Sequence, residues 1–364
     1  MKNRYPDLAN IRRILVAKLR HHGDVLMTSP VFSVLKEALP DAKIDAYLYK
    51  ETHPMLEGHP AISHFLLYDR KWKSYSLLKR LSHEWKLLRQ IRKKRYDLVV
   101  NLTEGDRGAI AAYVSKAGLR IGFDPENSGM RGKNKCYTHI VKNCHRPRHS
   151  VERNLDALRC LGIFPKEEQK NLFLDVPKES QQKLTEILGS FGWQEKNFIV
   201  VHPVSRWLFK CLPTKTVADA IKGLQSKGKS IVLTGSSSPE EMQMNQEICE
   251  LLPKNSSLLN LSGKISLKEF GALLLRSEAL VTVDSVPLHM ASALKTPVVA
   301  LFGPTSEETW APWQHEKSRV IAPKISCRPC YMPGCGGSYR SDCLNKITAG
   351  QIVQAVSSLT SYTT

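Results

Sequence analysis

The chain has 364 residues, 42% hydrophobic and 24% charged, an ordinary composition with room for two cores of about 150–200 residues each. No run approaches the roughly 18 apolar residues that cross a bilayer, and the opening MKNRYPDLANIRR lacks the apolar segment of a signal peptide, so a cytoplasmic location is expected. The formal charge of +19 is uneven, with 33 Lys and Arg against 19 Asp and Glu over residues 1–176 and 20 against 15 over 177–364, which favours a polyanionic partner: nucleic acid, an anionic membrane or a phosphorylated substrate.

Strand-like apolar runs stand at 14–19 (ILVAKL), 44–49, 65–69, 97–103 and 137–141, then at 198–204, 230–235, 257–261, 279–284 and 297–302. Helical patterns fall between most of them, including 25–38, 76–94, 150–161, 214–227, 239–252, 266–276 and 287–295. This alternation predicts parallel sheets flanked by helices, and ten strands over this length suit two open sheets. The stretch LDVPKES breaks the pattern, so residues 1–176 and 177–364 are expected to form two Rossmann-like domains.

Open parallel sheets bind ligands beyond the carboxyl ends of their strands. The first such exit, KLRHHGDV, places the carboxylate Asp24 at a strand–helix junction, where it either caps the helix or does chemistry. The helix at 76–94 is strongly basic. Its Leu77, Leu78, Leu81, Trp85, Leu88 and Ile91 recur at helical spacing and predict a packed apolar stripe opposite a solvated charged face. The loop before it adds Arg70, Lys71 and Lys73, which raises the alternative of a surface for an anionic membrane.

The exits of the second half read HPVSRWLFK, TGSSSPEE, LSGK, VDSVPLHMA and FGPTSEETW. Their Gly, Ser, Thr and Pro content suits backbone amides and helix N-termini cradling a nucleotide phosphate. Ser205, Arg206, Lys210 and Gly235 stand in the first two of these loops, and the two cations suit a diphosphate leaving group. Glu240 accepts from ribose hydroxyls, or is simply an acid in a first helical turn. Asp284 or Ser285 caps the helix that Pro287 opens, which leaves His289, one turn in, to donate to a phosphate or sugar oxygen. There is no Gly-x-Gly-x-x-Gly, Walker A or Asp-x-Asp sequence, Glu104-Gly-Asp106 being nearest to the last. Cations and helix N-termini, not Mg²⁺, are therefore expected at a diphosphate. Cys327, Cys330, Cys335 and Cys343 are spaced as a C-x₂-C-x₄-C-x₇-C quartet, open to zinc, to a disulfide or to free thiols. Cys136, Cys144, Cys160, Cys211 and Cys249 are scattered and read as inert thiols.

Together, ILVAKLRHHGDVLMTSPVFSVLKEALP, HPVSRWLFKCLP, LVTVDSVPLHMASALKTPVVALFGPTSEETWAP and the late cysteine cluster resemble glycosyltransferase family 9, the heptosyltransferases of lipopolysaccharide core assembly. RHHGD and the quartet look most like the heptosyltransferase III branch. The resemblance implies an α/β GT-B fold, two facing Rossmann-like domains with parallel sheets and a central cleft. It assigns residues 1–176 to the acceptor and 177–364 to the nucleotide sugar, with the final helix, about 346–360, packing back on the first domain. It implies inverting, metal-independent transfer from ADP-L-glycero-β-D-manno-heptose, with no cofactor, onto the second heptose of the lipopolysaccharide inner core at an anionic inner-membrane surface. Asp24 matches the family's base and Lys210 its phosphate-binding lysine. Glu240, beside Glu241, matches its ribose contact, and Asp284, Ser285 and His289 match its donor loop. Val286 departs from the glycine of many relatives, and KCLP lacks a common tryptophan. Arg70, Lys71 and Lys73 are expected to hold the acceptor. The alternatives are a relative with another nucleotide-sugar donor or core acceptor, a dehydrogenase, and a basic nucleic-acid-binding protein, for which no motif is found.

Overall fold

The computed structural model describes residues 5–144, 146–193, 197–254 and 256–360. The chain divides into two units, Met1–Asp175 and Val176–Thr364. In the first, β1 (Arg13–Lys18), β2 (Lys43–Tyr49), β3 (Ile62–Tyr68), β4 (Leu98–Asn101), β5 (Leu119–Phe123) and β6 (His139–Val141) form one parallel sheet in the order β3-β2-β1-β4-β5-β6. In the second, β7 (Phe198–His202), β8 (Ser230–Leu233), β9 (Leu258–Asn260), β10 (Ala279–Val283), β11 (Val298–Leu301) and β12 (Ser318–Ile321) repeat that winding as β12-β11-β10-β7-β8-β9. Central strands covered on both faces must be apolar throughout: Ile14, Leu15, Val16 and Ala17 of β1, and Ile199 and Val200 of β7, are wholly buried. Strand order reverses between β1 and β4 and between β7 and β10, and a sheet of this kind opens its ligand crevice at such a point.

Two strands, β5 and β12, lie outside the sequence expectation. LRIGF of β5 is interrupted by Arg120 and Gly122. The glycine is there for space, since a Cβ would come within 2.3 Å of the Tyr137 ring. SRVI of β12 is a half-exposed edge strand with little apolar signal. The pattern at 25–38 splits into His22–Leu26 and Ser29–Ala38. Pro30 brings no N–H to a continuous helix, and the Thr28 hydroxyl donates to the Val25 carbonyl (2.6 Å) at the break.

One helix corrects the sequence reading. In Leu77–Lys93 only Leu87 and Ile91 are buried, with Leu88 packed at the core's edge; Leu77, Leu78, Leu81 and Trp85 are 68, 82, 51 and 59% exposed. Of the six residues expected to form a packed stripe, Leu77, Leu78, Leu81 and Trp85 therefore face solvent, while Leu88 and Ile91 pack as expected. The last helix, Ala349–Thr360, buries Ile352, Val356 and Leu359 in the core of the second unit, with Ile221 and Leu224. No helix among the described residues is long and apolar enough to cross a membrane.

Candidate functional site

The first switch point gathers charge. β1 ends at Lys18, and the chain turns through Arg20 and His21 into the short helix that holds Asp24. Neither Asp24 nor the N-cap residue His21 makes a side-chain capping bond, so the capping explanation of Asp24 does not hold. Asp24 is half-buried. Its electrostatic neighbour is Lys18, only 7% exposed. The Lys18 ammonium donates to the Leu102 carbonyl (2.9 Å) and to Asn154 Oδ1 (3.3 Å). Burial pushes its pKa below the ordinary lysine range, while Asp24 and then Glu104 act to raise it. At the exit of β4, burial would raise the Glu104 carboxyl, but Lys18, Arg20 and Arg153 outweigh it and hold it below the usual range. Glu104 pairs with Arg153 at 2.9 Å and Arg20 at 3.4 Å. The result is a carboxylate, Asp24, with one fixed ammonium nearby and a side chain that bonds no other described group. Sequence reasoning missed Lys18, although a lysine inside the otherwise apolar ILVAKL is the signal that marks it.

The second switch point pairs the exits of β7 and β10. Lys210 Nζ lies 2.6 Å from Asp284 Oδ2 and 3.5 Å from the Asp284 carbonyl. Ser285 is the N-cap of Val286–Leu294, but its hydroxyl donates back to the Val283 carbonyl (3.3 Å), and no side chain caps this helix. Neither Asp284 nor Ser285 is therefore the expected cap. In its first turn Pro287 has no N–H and Leu288 donates to the Ser285 carbonyl (3.1 Å), which leaves the Val286 N–H and the helix dipole to meet an anion near the Lys210 ammonium. Thr282 Oγ1 donates to the His202 carbonyl (3.0 Å), tying the two exits together. His202 itself bonds Thr234 Oγ1 (3.0 Å), and burial pushes it down to about 3, so it stays neutral. His289 is buried, with its ring 6.3 Å from that of Trp310.

The remaining expected donor residues are spread around this point. Ser205 is buried and accepts the Trp207 N–H (3.3 Å). Arg206 is exposed, its guanidinium 5.4 Å from the Trp207 ring. Gly235 ends the β8 exit, where a Cβ would come 2.6 Å from Asn245 Nδ2. Glu240 is exposed in the first turn of Pro239–Glu250, whereas Glu241 is buried and accepts the Ser236 N–H (2.7 Å).

Arg70 is tied into the first unit, 3.0 Å from Glu51 and stacked 4.0 Å from the Tyr49 ring. Lys71 and Lys73 are exposed, and their side chains make no ion pair among the described residues. The cysteine quartet does not assemble as a metal site. Cys343 turns into the second unit's core beside Leu344 and Ile347, while Cys327, Cys330 and Cys335 are exposed free thiols. Among the described residues no group of three His, Cys, Asp or Glu is placed to hold an ion.

The model of glycosyltransferase family 9 (heptosyltransferase) matches residues 84–336. Lipopolysaccharide heptosyltransferase 3 of Escherichia coli K12 is 34% identical over 300 residues, 81% of this chain and 83% of that relative. A family 9 glycosyl transferase from Veillonella parvula superposes with a TM-score of 0.82 at 23% identity, covering 98% of this chain and 99% of the other. E. coli heptosyltransferase WaaC with ADP-2-deoxy-2-fluoro heptose superposes with a TM-score of 0.70 at 19% identity, covering 95% and 99%.

Proposed function

The chain belongs to glycosyltransferase family 9 and has its GT-B fold, and from that premise we propose that it transfers heptose from ADP-L-glycero-β-D-manno-heptose to the second heptose of the lipopolysaccharide inner core. The observation that carries the reading is the 34% identity to heptosyltransferase 3 over most of both chains, joined to a switch point whose charges suit a nucleoside diphosphate. We assign the acceptor to the first unit and the donor to the second.

In the proposed reaction Asp24 takes the proton of the attacking hydroxyl while the bond from the sugar's anomeric carbon to ADP breaks, with inversion. Lys18 is a positioning residue: its buried ammonium fixes the field in which Asp24 works. A carboxylate suffices as the base here because the hydroxyl gives up its proton chiefly as the sugar centre becomes positive. Charge developing on ADP is met by Lys210 and the positive N-terminus of Val286–Leu294, so no divalent ion is required in this scheme. Glu240 takes the ribose hydroxyls; Glu241 is already committed to Ser236. Ser205, Arg206, Gly235, Asp284, Ser285 and His289 line the donor side. Lys71 and Lys73, with Arg70 behind them, meet acceptor phosphates. The enzyme works in the cytoplasm, peripherally on the inner face of the inner membrane, where its acceptor resides.

A panel of ADP- and UDP-sugars offered with truncated inner-core acceptors, the product mapped by mass spectrometry and linkage analysis, tests this. Heptose added from ADP-heptose to the second core heptose is expected. Transfer of another sugar, or to another core position, would replace the donor or the acceptor assignment.

A further inference from the structure

The helix Leu77–Lys93 is sided in an unusual way. At about 100° per residue, Leu77, Leu81, Trp85 and Leu78 fall in one arc, beside the inward arc of Leu87 and Ile91, with the half-buried Leu88 where the two meet. All four of the first group are more than half exposed, a contiguous apolar stripe and not scattered single residues. Past its outer edge come Arg89, Lys93, Lys86 and Lys79. Glu84 is the helix's one acid and faces inward, accepting from Tyr68 (2.9 Å), Arg107 (3.3 Å) and Arg80 (3.4 Å). The outward surface thus carries apolar groups and cations without an acid from this helix. At its C-terminal end lies a hollow of about 430 Å³ lined by Arg13, Lys86, Arg89, Lys93 and Lys94, with Trp85 beside them.

The position matters as much as the chemistry. The helix follows β3 and runs back to the start of β4, so its apolar first turns stand at the strand-exit edge that also carries Asp24. Its 17 residues span about 25 Å. A helix with an exposed apolar stripe flanked by Lys and Arg suits the plane of a lipid interface, where long basic side chains reach headgroup phosphates. We propose that this face docks on an anionic bilayer. Leu77, Leu78, Leu81 and Trp85 enter the headgroup–acyl boundary, and Lys79, Lys86, Arg89 and Lys93 contact lipid phosphates. The choice of a bilayer rests on the function proposed above, which places the acceptor on a lipid; the apolar stripe adds an insertion device to that reading.

The test uses the full chain and vesicles of equal parts phosphatidylglycerol and phosphatidylethanolamine, with phosphatidylcholine vesicles as control. Wild type is expected to partition onto the anionic vesicles, less as salt rises, and to show a blue-shifted emission that Trp85→Phe removes. Leu78→Ser/Leu81→Ser/Trp85→Ala is expected to cut partitioning by about tenfold or more, with transfer to a soluble, delipidated acceptor unchanged and transfer to a vesicle-borne one reduced. Lys86→Glu/Arg89→Glu/Lys93→Glu is expected to flatten the salt dependence. Equal partitioning of wild type and the apolar variant overturns the proposal. So does a solution dimer that the apolar variant dissolves while vesicle binding stays the same, which would make the stripe an interface between two copies. Vesicle binding is read without substrate: loss of transfer on the soluble acceptor in wild type would undo the functional reading alone.

Discussion

Replacing Lys210 by Met separates what this residue does for the fold from what it does for the donor. Its ammonium lies 2.6 Å from a carboxylate whose side chain is only 6% exposed, and is itself only 18% exposed. Deleting one partner of a buried pair costs about 3–5 kcal/mol, because the other charge is left without compensation. The expected loss in the second unit is therefore about 3–5 kcal/mol. Lys210→Met/Asp284→Asn should recover most of this stability, while ADP affinity stays lost. Urea denaturation, with ADP titration calorimetry on both variants, reads the two effects apart. A single variant as stable as wild type at pH 7 would refute the energetic reasoning; one that binds ADP normally would remove Lys210 from the donor site.

Asp24→Asn is expected to keep the fold and ADP affinity while transfer falls by ~10²-fold or more; near-normal turnover would dismiss it as the base. His59, whose ring contacts the Ser29 carbonyl (3.1 Å) and accepts the Ala61 N–H (3.2 Å), is held by burial at about 4. Between pH 6.5 and 4 the unfolded chain takes a proton that the folded one refuses, so the first unit should lose up to about 3 kcal/mol across that window as pH falls. His59→Gln should flatten that acid arm, and an arm equally steep in the variant would assign the loss to other groups. Gly235→Ala would press a Cβ to 2.6 Å from Asn245 Nδ2 and 3.1 Å from Val204 Cγ2. Asn245 is wholly buried and bonded to Thr234 and Ser262, so the expected cost is about 1–3 kcal/mol, read as a lower denaturation midpoint of the second unit. An unshifted midpoint would mean that the loop yields.

The strand grammar was legible because doubly covered strands must be apolar along their whole length, and ILVAKL or FIVVH can be little else. β5 and β12 were not, since one carries a space-making glycine and the other is an edge. The exits of β1, β7 and β10 were legible by the same rule that places ligands at strand ends. Which carboxylate caps, which pairs and which stays open was not, because that depends on residues far apart in sequence, such as Lys210 and Asp284. Helical spacing showed that Leu77, Leu81, Leu88 and Ile91 lie close around the helix, but not which side the sheet would cover. That is settled by Tyr68 and Arg107, which draw Glu84 inward and turn Leu77, Leu78, Leu81 and Trp85 out.

The most direct measurement is ADP release from ADP-heptose in EDTA, with and without a truncated inner-core lipopolysaccharide acceptor. Release that requires the acceptor, survives EDTA and adds one heptose mass to the acceptor is the expected result, and it would establish transfer and metal independence together. No acceptor-dependent release would contradict the proposed transfer, and release abolished by EDTA would contradict the assignment of the diphosphate's charge to Lys210 and the helix N-terminus.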